Sequence, residues 1–345
     1  MLASPMKLPI LTPRLTSTPR RAKLPRVLLT HCCPDWPLLR QTPGGAGVWE
    51  DFEFVVDRTN EDVDAWVVLE NPLSDVSARC HPRNTFFVSW EPPEIRSYNR
   101  LFLSQFQWVQ TCHSVSHPGL VVSQQSQPWH LGVDAEHGFV PVMNYDSLST
   151  MQRPEKTALM SVVISNKAIT PAHRQRLLFV KMLKDRLGDR LHVYGRGHQT
   201  ISDKWEAIGN YRYHLVLENA SRPNYITEKL SDALLGFCFP FYYGAPNASE
   251  YFPVGSFEPI DIFQPENAID IILRGIDSDL DRHRQGDVDT ARTSVLEQWN
   301  LFPMLVRLLR EKMVCGPKRK LTIYPKKHRF KIGASKLTRA MRPAA

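Results

Sequence analysis

Polar side chains gather in one stretch of this sequence, residues 211–253, in an order suited to a phosphorylated ligand. Residues 213–217 form an apolar, strand-like run that ends on Glu218 and Asn219. A loop with Arg222, Pro223 and Tyr225 follows. Thr227, Glu228 and Lys229 then open a segment whose apolar positions, Ile226, Leu230, Ala233 and Leu234, have helical spacing, and Gly236 stops it. Residues 237–243 read as the next strand. The polar residues therefore collect at a strand end and a helix start. Ligands bind at that edge in open α/β sheets. A helix N-terminus also offers free N–H groups and the positive end of a dipole to an anion. Lys229 in the first turn opposes the dipole unless an anion such as a diphosphate is close. Glu228 suits the dipole and could accept hydrogen bonds from sugar hydroxyls. The same residues also make an ordinary helix start, with Thr227 as N-cap, Glu228 as dipole partner and Lys229 in solvent. Asn219 likewise fits an Asx turn.

Two sets of elements must position these groups. Residues 27–30, 52–56, 66–69, 86–89 and 108–111 are short apolar or β-branched runs and read as strands of a first α/β layer. A second set begins with a strand at 159–165. Residues 171–187 place Leu177, Phe179, Val180, Leu183 and Leu187 at helical spacing, and Pro171 suits a first turn. Residues 191–194 read as a strand ending at Tyr194 in Gly195-Arg196-Gly197, a tight loop that lets backbone approach a ligand. The alternation gives an α/β fold of two Rossmann-like domains facing a central cleft. The expected divisions are a flexible, basic, Pro-rich leader over 1–26, an N-terminal domain over 27–150, a C-terminal domain over 151–309 and a basic tail over 310–345. Residues 114–146, rich in Gln, Ser, His and Pro, read as irregular. Trp36 and Trp129 either stack on a sugar face or belong to a core. No internal repeat is evident.

Composition narrows the classes. The 345 residues are 42% hydrophobic, enough for a core in each domain. No run reaches membrane-spanning length: residues 234–245 are the most apolar, and Pro240 and Gly244 interrupt them. No apolar signal-type region stands near the N-terminus, so the expected location is cytoplasmic. The six cysteines show no CxxC spacing and are expected as thiols in a reducing compartment. The net charge of +8 is unevenly spread. Residues 1–26 hold six Lys/Arg and no acid, and residues 310–345 hold twelve Lys/Arg and one acid, so the body between them is acidic. The tails are either solvated or touch the anionic inner face of a membrane. No nucleic-acid motif accompanies the charge.

The stretch Tyr213-His-Leu-Val-Leu-Glu218-Asn219, Asn224-Tyr225-Ile226-Thr227-Glu228-Lys229, Pro240-Phe-Tyr-Tyr-Gly244 and Ser249-Glu250-Tyr251-Phe252-Pro253 resembles the signature of the α-1,3/1,4-fucosyltransferases, glycosyltransferase family 10. Asn224 stands where the family usually has Asp, and Ala220-Ser221 where it has one Ser. Two shorter matches flank it. Ser165-Asn166 with His173-Arg174-Gln175 resembles a segment whose Arg meets the donor diphosphate; Arg176 is a rival for that role. Trp90-Glu91-Pro92-Pro93 resembles an element whose Glu is the general base, with Glu94 as rival; unaided, it reads as an exposed turn.

The resemblance implies GT-B architecture in a soluble, bacterial-type member. It implies inverting transfer of L-fucose from GDP-β-L-fucose to a hydroxyl of a glycan acceptor, at O3 or O4 of a GlcNAc or related sugar. Glu91 would be the base. Arg174, Tyr194, Gly195, Glu218, Asn219, Tyr225, Glu228 and Lys229 would bind the donor, with Glu228 on the ribose. The signature holds no DxD motif, and no obligatory metal or cofactor is expected. Alternatives are a GT-B transferase using another nucleotide sugar, and a catalytically inactive protein that binds glycans or membrane surfaces.

Overall fold

The computed structural model describes residues 23–168 and 170–326, so nearly all of the basic leader and the last part of the basic tail lie outside the described residues. Eight short strands come first: β1 (Arg26–His31), β2 (Val48–Trp49), β3 (Phe52–Val56), β4 (Ala65–Leu69), β5 (Val76–Cys80), β6 (Thr85–Val88), β7 (Trp108–Thr111) and β8 (Leu120–Val122). All but β5 join one sheet in the order β2-β3-β1-β4-β6-β7-β8, parallel except for β2. Every residue of β4 is buried. A parallel strand covered on both faces needs a continuous apolar run, which Ala-Trp-Val-Val-Leu supplies. A ribbon of β9 (Val133–Asp134) and β10 (Val140–Pro141) lies in the stretch expected to be irregular; two-residue strands show no alternation to read.

The second sheet contains β11 (Ala158–Val163), β12 (Leu191–Tyr194), β13 (Tyr211–Leu217), β14 (Phe239–Tyr243) and β15 (Glu258–Pro259), all parallel, in the order β12-β11-β13-β14-β15. In both sheets the chain leaves its first parallel strand on one side and then crosses to the other. The crossing opens a crevice between β1 and β4 and another between β11 and β13. The two Rossmann-like domains expected from the sequence are therefore present, in the GT-B manner. Two helices border the second crevice. Pro171–Leu187 starts at Thr170, whose side chain accepts the His173 N–H, and it buries His173, Arg176, Phe179, Val180, Leu183 and Leu187. Glu228–Leu235 is capped by Thr227 and stops at Gly236.

The end of the chain corrects the expected divisions. Helix Leu301–Lys312 buries Leu301, Phe302, Leu305 and Leu309 against Val27, Phe54 and Val67 of the first sheet. Strand β16 (Arg319–Ile323) then pairs antiparallel with β5, from Arg319↔Cys80 to Ile323↔Val76. Residues 301–326 thus belong to the first domain, and the residues from 310 to 326 are a structured return rather than a tail. Truncation after Gly316 should expose Ile323's site and the β5 edge. Burial of one such side chain is worth about 1.5–3 kcal/mol, so Tm should fall by about 5 °C or more. Melting of the Gly316 truncation equal to that of the full chain would contradict the packing role of β16.

Trp129 is fully buried in the second core and offers no face to a sugar. Trp36 is half-buried, with its ring 4.5 Å from that of His130.

Candidate functional site

Glu218 follows β13 and is wholly buried. Its carboxylate accepts the Thr227 N–H at 2.8 Å and the Thr227 hydroxyl at 2.8 Å, so it ties the strand end to the helix cap. Gly244 lies against it: a Cβ there would come within 2.7 Å of Glu218 Cγ. Burial raises the pKa of Glu218 and the nearby Lys229 ammonium opposes that rise.

Lys229 was expected in solvent, but its side chain is mostly covered. Its Nζ lies 3.0 Å from Thr227 Oγ1, 3.3 Å from Glu218 and 3.4 Å from Glu228. Burial disfavours the ammonium, yet Glu228 and Glu218 outweigh burial and hold its pKa above the ordinary value. Glu228 is in turn held well below the usual carboxylate range, because Lys229 and Lys204 outweigh its burial. Lys204 reaches Asp232 at 2.7 Å and Glu228 at 3.3 Å. Three carboxylates and two ammonium groups thus share the helix start. An incoming diphosphate would compete with Glu218 and Glu228 for Lys229.

Two residues on helix Pro171–Leu187 had rival claims. Arg176 is buried, donates to Asn219 Oδ1 at 2.8 Å and to the Leu217 carbonyl at 3.0 Å, and leaves Nε without a partner. Arg174 is exposed and donates to the Ala168 carbonyl at 3.2 Å. The structure therefore brings Arg176 to the Glu218–Asn219 strand end and places Arg174 outside that cluster. Tyr225 is buried, and its phenol is pushed up first by burial and then by Glu218, Glu91 and Glu228. The Tyr194 hydroxyl lies 2.6 Å from the Tyr211 hydroxyl. Gly195 has φ 112°, and a Cβ there would meet the Ile164 carbonyl at 2.4 Å. It allows the β12 loop to close on the end of β11 rather than on open space.

Glu91 comes from the first domain and is half-buried. Its pKa is raised, first by burial and then by Glu70, while Lys229 and Arg96 pull it down. Lys229 and Glu228, from the other domain, are near enough to act on it by charge. Glu94, the rival, is exposed and forms an ion pair with Arg222 of the signature loop. That pair is a clasp between the domains and leaves Glu94 engaged.

The sequence reading missed Lys204, Asp232 and Glu70. Asp232 is fully buried and accepts N–H groups of His130 and Leu131 at 2.9 and 3.0 Å. The helix is buried from Leu230 to Leu235, and Asp232 stands off the apolar stripe of Ile226, Leu230, Ala233 and Leu234, so no local spacing announced it. Glu70 is buried at the end of β4 and accepts the Trp90 N–H at 2.7 Å. Its signal was a repeat that went unread: Val68-Leu69-Glu70-Asn71 matches Val216-Leu217-Glu218-Asn219. Among the described residues no group of three or more His, Cys, Asp or Glu is placed to hold a metal ion. No described helix is long and apolar enough to cross a membrane.

The site thus brings a half-buried carboxylate of the first domain within electrostatic reach of the cations at a helix start in the second. Residues 153–285 match the family model described as glycosyltransferase family 10 (fucosyltransferase), C-terminal part. A 3-galactosyl-N-acetylglucosaminide 4-α-L-fucosyltransferase of Pan troglodytes is 25% identical over 230 residues, which cover 63% of this chain and 55% of that protein. A human 4-galactosyl-N-acetylglucosaminide 3-α-L-fucosyltransferase is 31% identical over 134 residues, covering 37% of this chain and 36% of that protein. The matched region thus spans about half the length, or less, of these relatives. Among solved structures, an α1,3-fucosyltransferase with GDP-fucose aligns over 79% of this chain and 84% of its own, at 15% identity and a TM-score of 0.46.

Proposed function

We propose that this chain, whose residues 153–285 belong to glycosyltransferase family 10, transfers L-fucose from GDP-β-L-fucose to a hydroxyl of a glycan acceptor, at O3 or O4 of a GlcNAc or related sugar. The observation that carries this reading is that the Glu91 segment meets the signature loop through the Glu94–Arg222 ion pair, with Lys229 and Glu228 near enough to act on the Glu91 carboxyl by charge. The acceptor oxygen attacks the anomeric carbon of fucose, the bond to the GDP oxygen breaks on the opposite face, and Glu91 takes the acceptor proton. The product is an α-linked fucoside. Lys229, Arg176 and the helix N–H groups stabilise the charge that grows on the leaving diphosphate. These fixed cations supply what a metal would otherwise supply, so transfer should continue in excess chelator. The expected result is release of GDP from GDP-fucose in preference to turnover of GDP-mannose or UDP-sugars. Faster turnover of a UDP-sugar would contradict the donor assignment.

A diphosphate contact through a charged hydrogen bond is worth about 1.5–3 kcal/mol. Lys229→Ala should therefore weaken GDP binding by roughly tenfold or more in calorimetry. Arg176→Ala should act alike, and Arg174→Ala should stay near wild type. The opposite ranking of the two arginine variants would return the diphosphate role to Arg174. Glu228 is read here as partner of the ribose hydroxyls once the donor displaces part of its ion pairing. The basic residues beyond 326 are read as contacts for an anionic membrane surface, at about 1 kcal/mol for each residue held near it.

A further inference from the structure

Glu70 lies outside the signature stretch, at the end of β4 in the first domain's crevice. It is 2% exposed and has φ 69°. A left-handed backbone at a non-glycine residue costs roughly 1–2 kcal/mol and persists where the surroundings over-determine it. Here the surroundings are hydrogen bonds. Oε2 accepts the Trp90 N–H at 2.7 Å and the Glu91 N–H at 3.3 Å. Oε1 accepts the Tyr98 hydroxyl at 2.6 Å and lies 2.9 Å from Arg96 Nε. The matching tetrapeptide in the second domain works in the same way. Glu218, buried at the crevice beside β13, accepts the Thr227 N–H and contacts Lys229. Each domain thus uses a buried strand-end carboxylate to fix a loop that carries a charged group.

We propose that Glu70 is the positioning residue for Glu91: it clamps the N–H groups of Trp90 and Glu91 and so sets where the Glu91 carboxylate stands in the cleft. The proposal rests on the reading of Glu91 as general base. Glu70 also acts on that base by charge. Burial is the first cause of Glu91's raised pKa; Glu70 and Glu228 add to it, and Lys229 and Arg96 oppose it. Tyr98 and Tyr225 also lie within electrostatic reach, and His113 Nε2 stands 2.8 Å from the Glu91 carbonyl. A residue that only held the fold together would not move the titration of Glu91. A charged clamp would.

The test is the pH profile of kcat/KM for GDP release from GDP-fucose. Glu70→Gln keeps an oxygen acceptor but removes a negative charge, so the acid limb should move to lower pH. Turnover should fall by about tenfold to a hundredfold through misplacement of the base, with GDP affinity within about twofold of wild type. Arg96→Gln removes a cation that opposes Glu70, so its acid limb should move to higher pH. An acid limb unmoved in Glu70→Gln, or moved the same way in both variants, overturns the proposal. Should Glu70→Gln fail to fold, Glu70→Asp takes its place: the shorter carboxylate keeps the charge but draws back from the Trp90 and Glu91 N–H groups, so turnover should fall by about tenfold or more, and wild-type turnover in Glu70→Asp would overturn the proposal. Glu91→Gln separates the two claims. Loss of the limb in Glu91→Gln, with no shift in Glu70→Gln, removes the role of Glu70 and keeps the base. A limb retained in Glu91→Gln, or no GDP release by the wild type, removes both.

Discussion

Replacing Glu91 by Gln should lower kcat by about 10²–10⁴-fold, the usual contribution of a positioned general base. The substitution keeps the size and much of the hydrogen-bonding shape of the side chain and removes the basic lone pair. The Kd for GDP should stay within about twofold, because Glu91 acts on the acceptor side. The pH dependence has a definite sign. Only the carboxylate can accept a proton, so wild-type activity rises as pH passes upward through the Glu91 pKa. Burial and Glu70 raise that pKa, so the acid limb should lie above the ordinary glutamate value of about 4.3. Glu91→Gln should lose the limb. Glu94→Gln should be mild, since it breaks only the ion pair with Arg222. A dead Glu94→Gln beside a near-normal Glu91→Gln would reassign the base.

Asp232→Ala should be the most damaging change to stability at the site. The carboxylate is fully buried, holds the backbone of His130 and Leu131 and lies 2.7 Å from Lys204. Removing one partner of a buried ion pair costs about 3–5 kcal/mol. Lys204 keeps Glu228 at 3.3 Å, which places the expected loss near the lower end, about 3 kcal/mol. Denaturant unfolding should show this as a lower midpoint with an unchanged slope. Asp232→Asn should recover part of the loss, because an amide oxygen can still accept the two N–H groups. A midpoint unmoved in Asp232→Ala would mean that segment 130–131 is held by other contacts.

Much of the second domain was legible in the sequence. Helix Pro171–Leu187 and strand Leu191–Tyr194 lie where their periodicity and punctuation put them. The signature loop and helix do as well, because capping and apolar spacing are local signals. Long-range pairing was not legible. Helix Leu301–Lys312 has an ordinary amphipathic pattern that does not say which sheet it covers, and β16 finds β5 across most of the chain. The choice between Arg174 and Arg176 turned on the helix face. Two residues apart, they point to nearly opposite sides. Arg176 sits on the stripe of His173, Phe179, Val180 and Leu183, and that spacing could have decided between them. The state of Lys229 depended on Lys204 and Glu218, which no local pattern joins to it.

Fucosyl transfer is tested most directly by mass. The full chain is incubated with GDP-fucose and a panel of GlcNAc-, N-acetyllactosamine- and glucose-terminated acceptors, and products are examined for one added deoxyhexose. The expected result is a deoxyhexose on a GlcNAc-containing acceptor, α-linked by its anomeric NMR signal and absent with Glu91→Gln. A product formed only from another nucleotide sugar, or a fucoside made equally well by Glu91→Gln, would contradict the assignment.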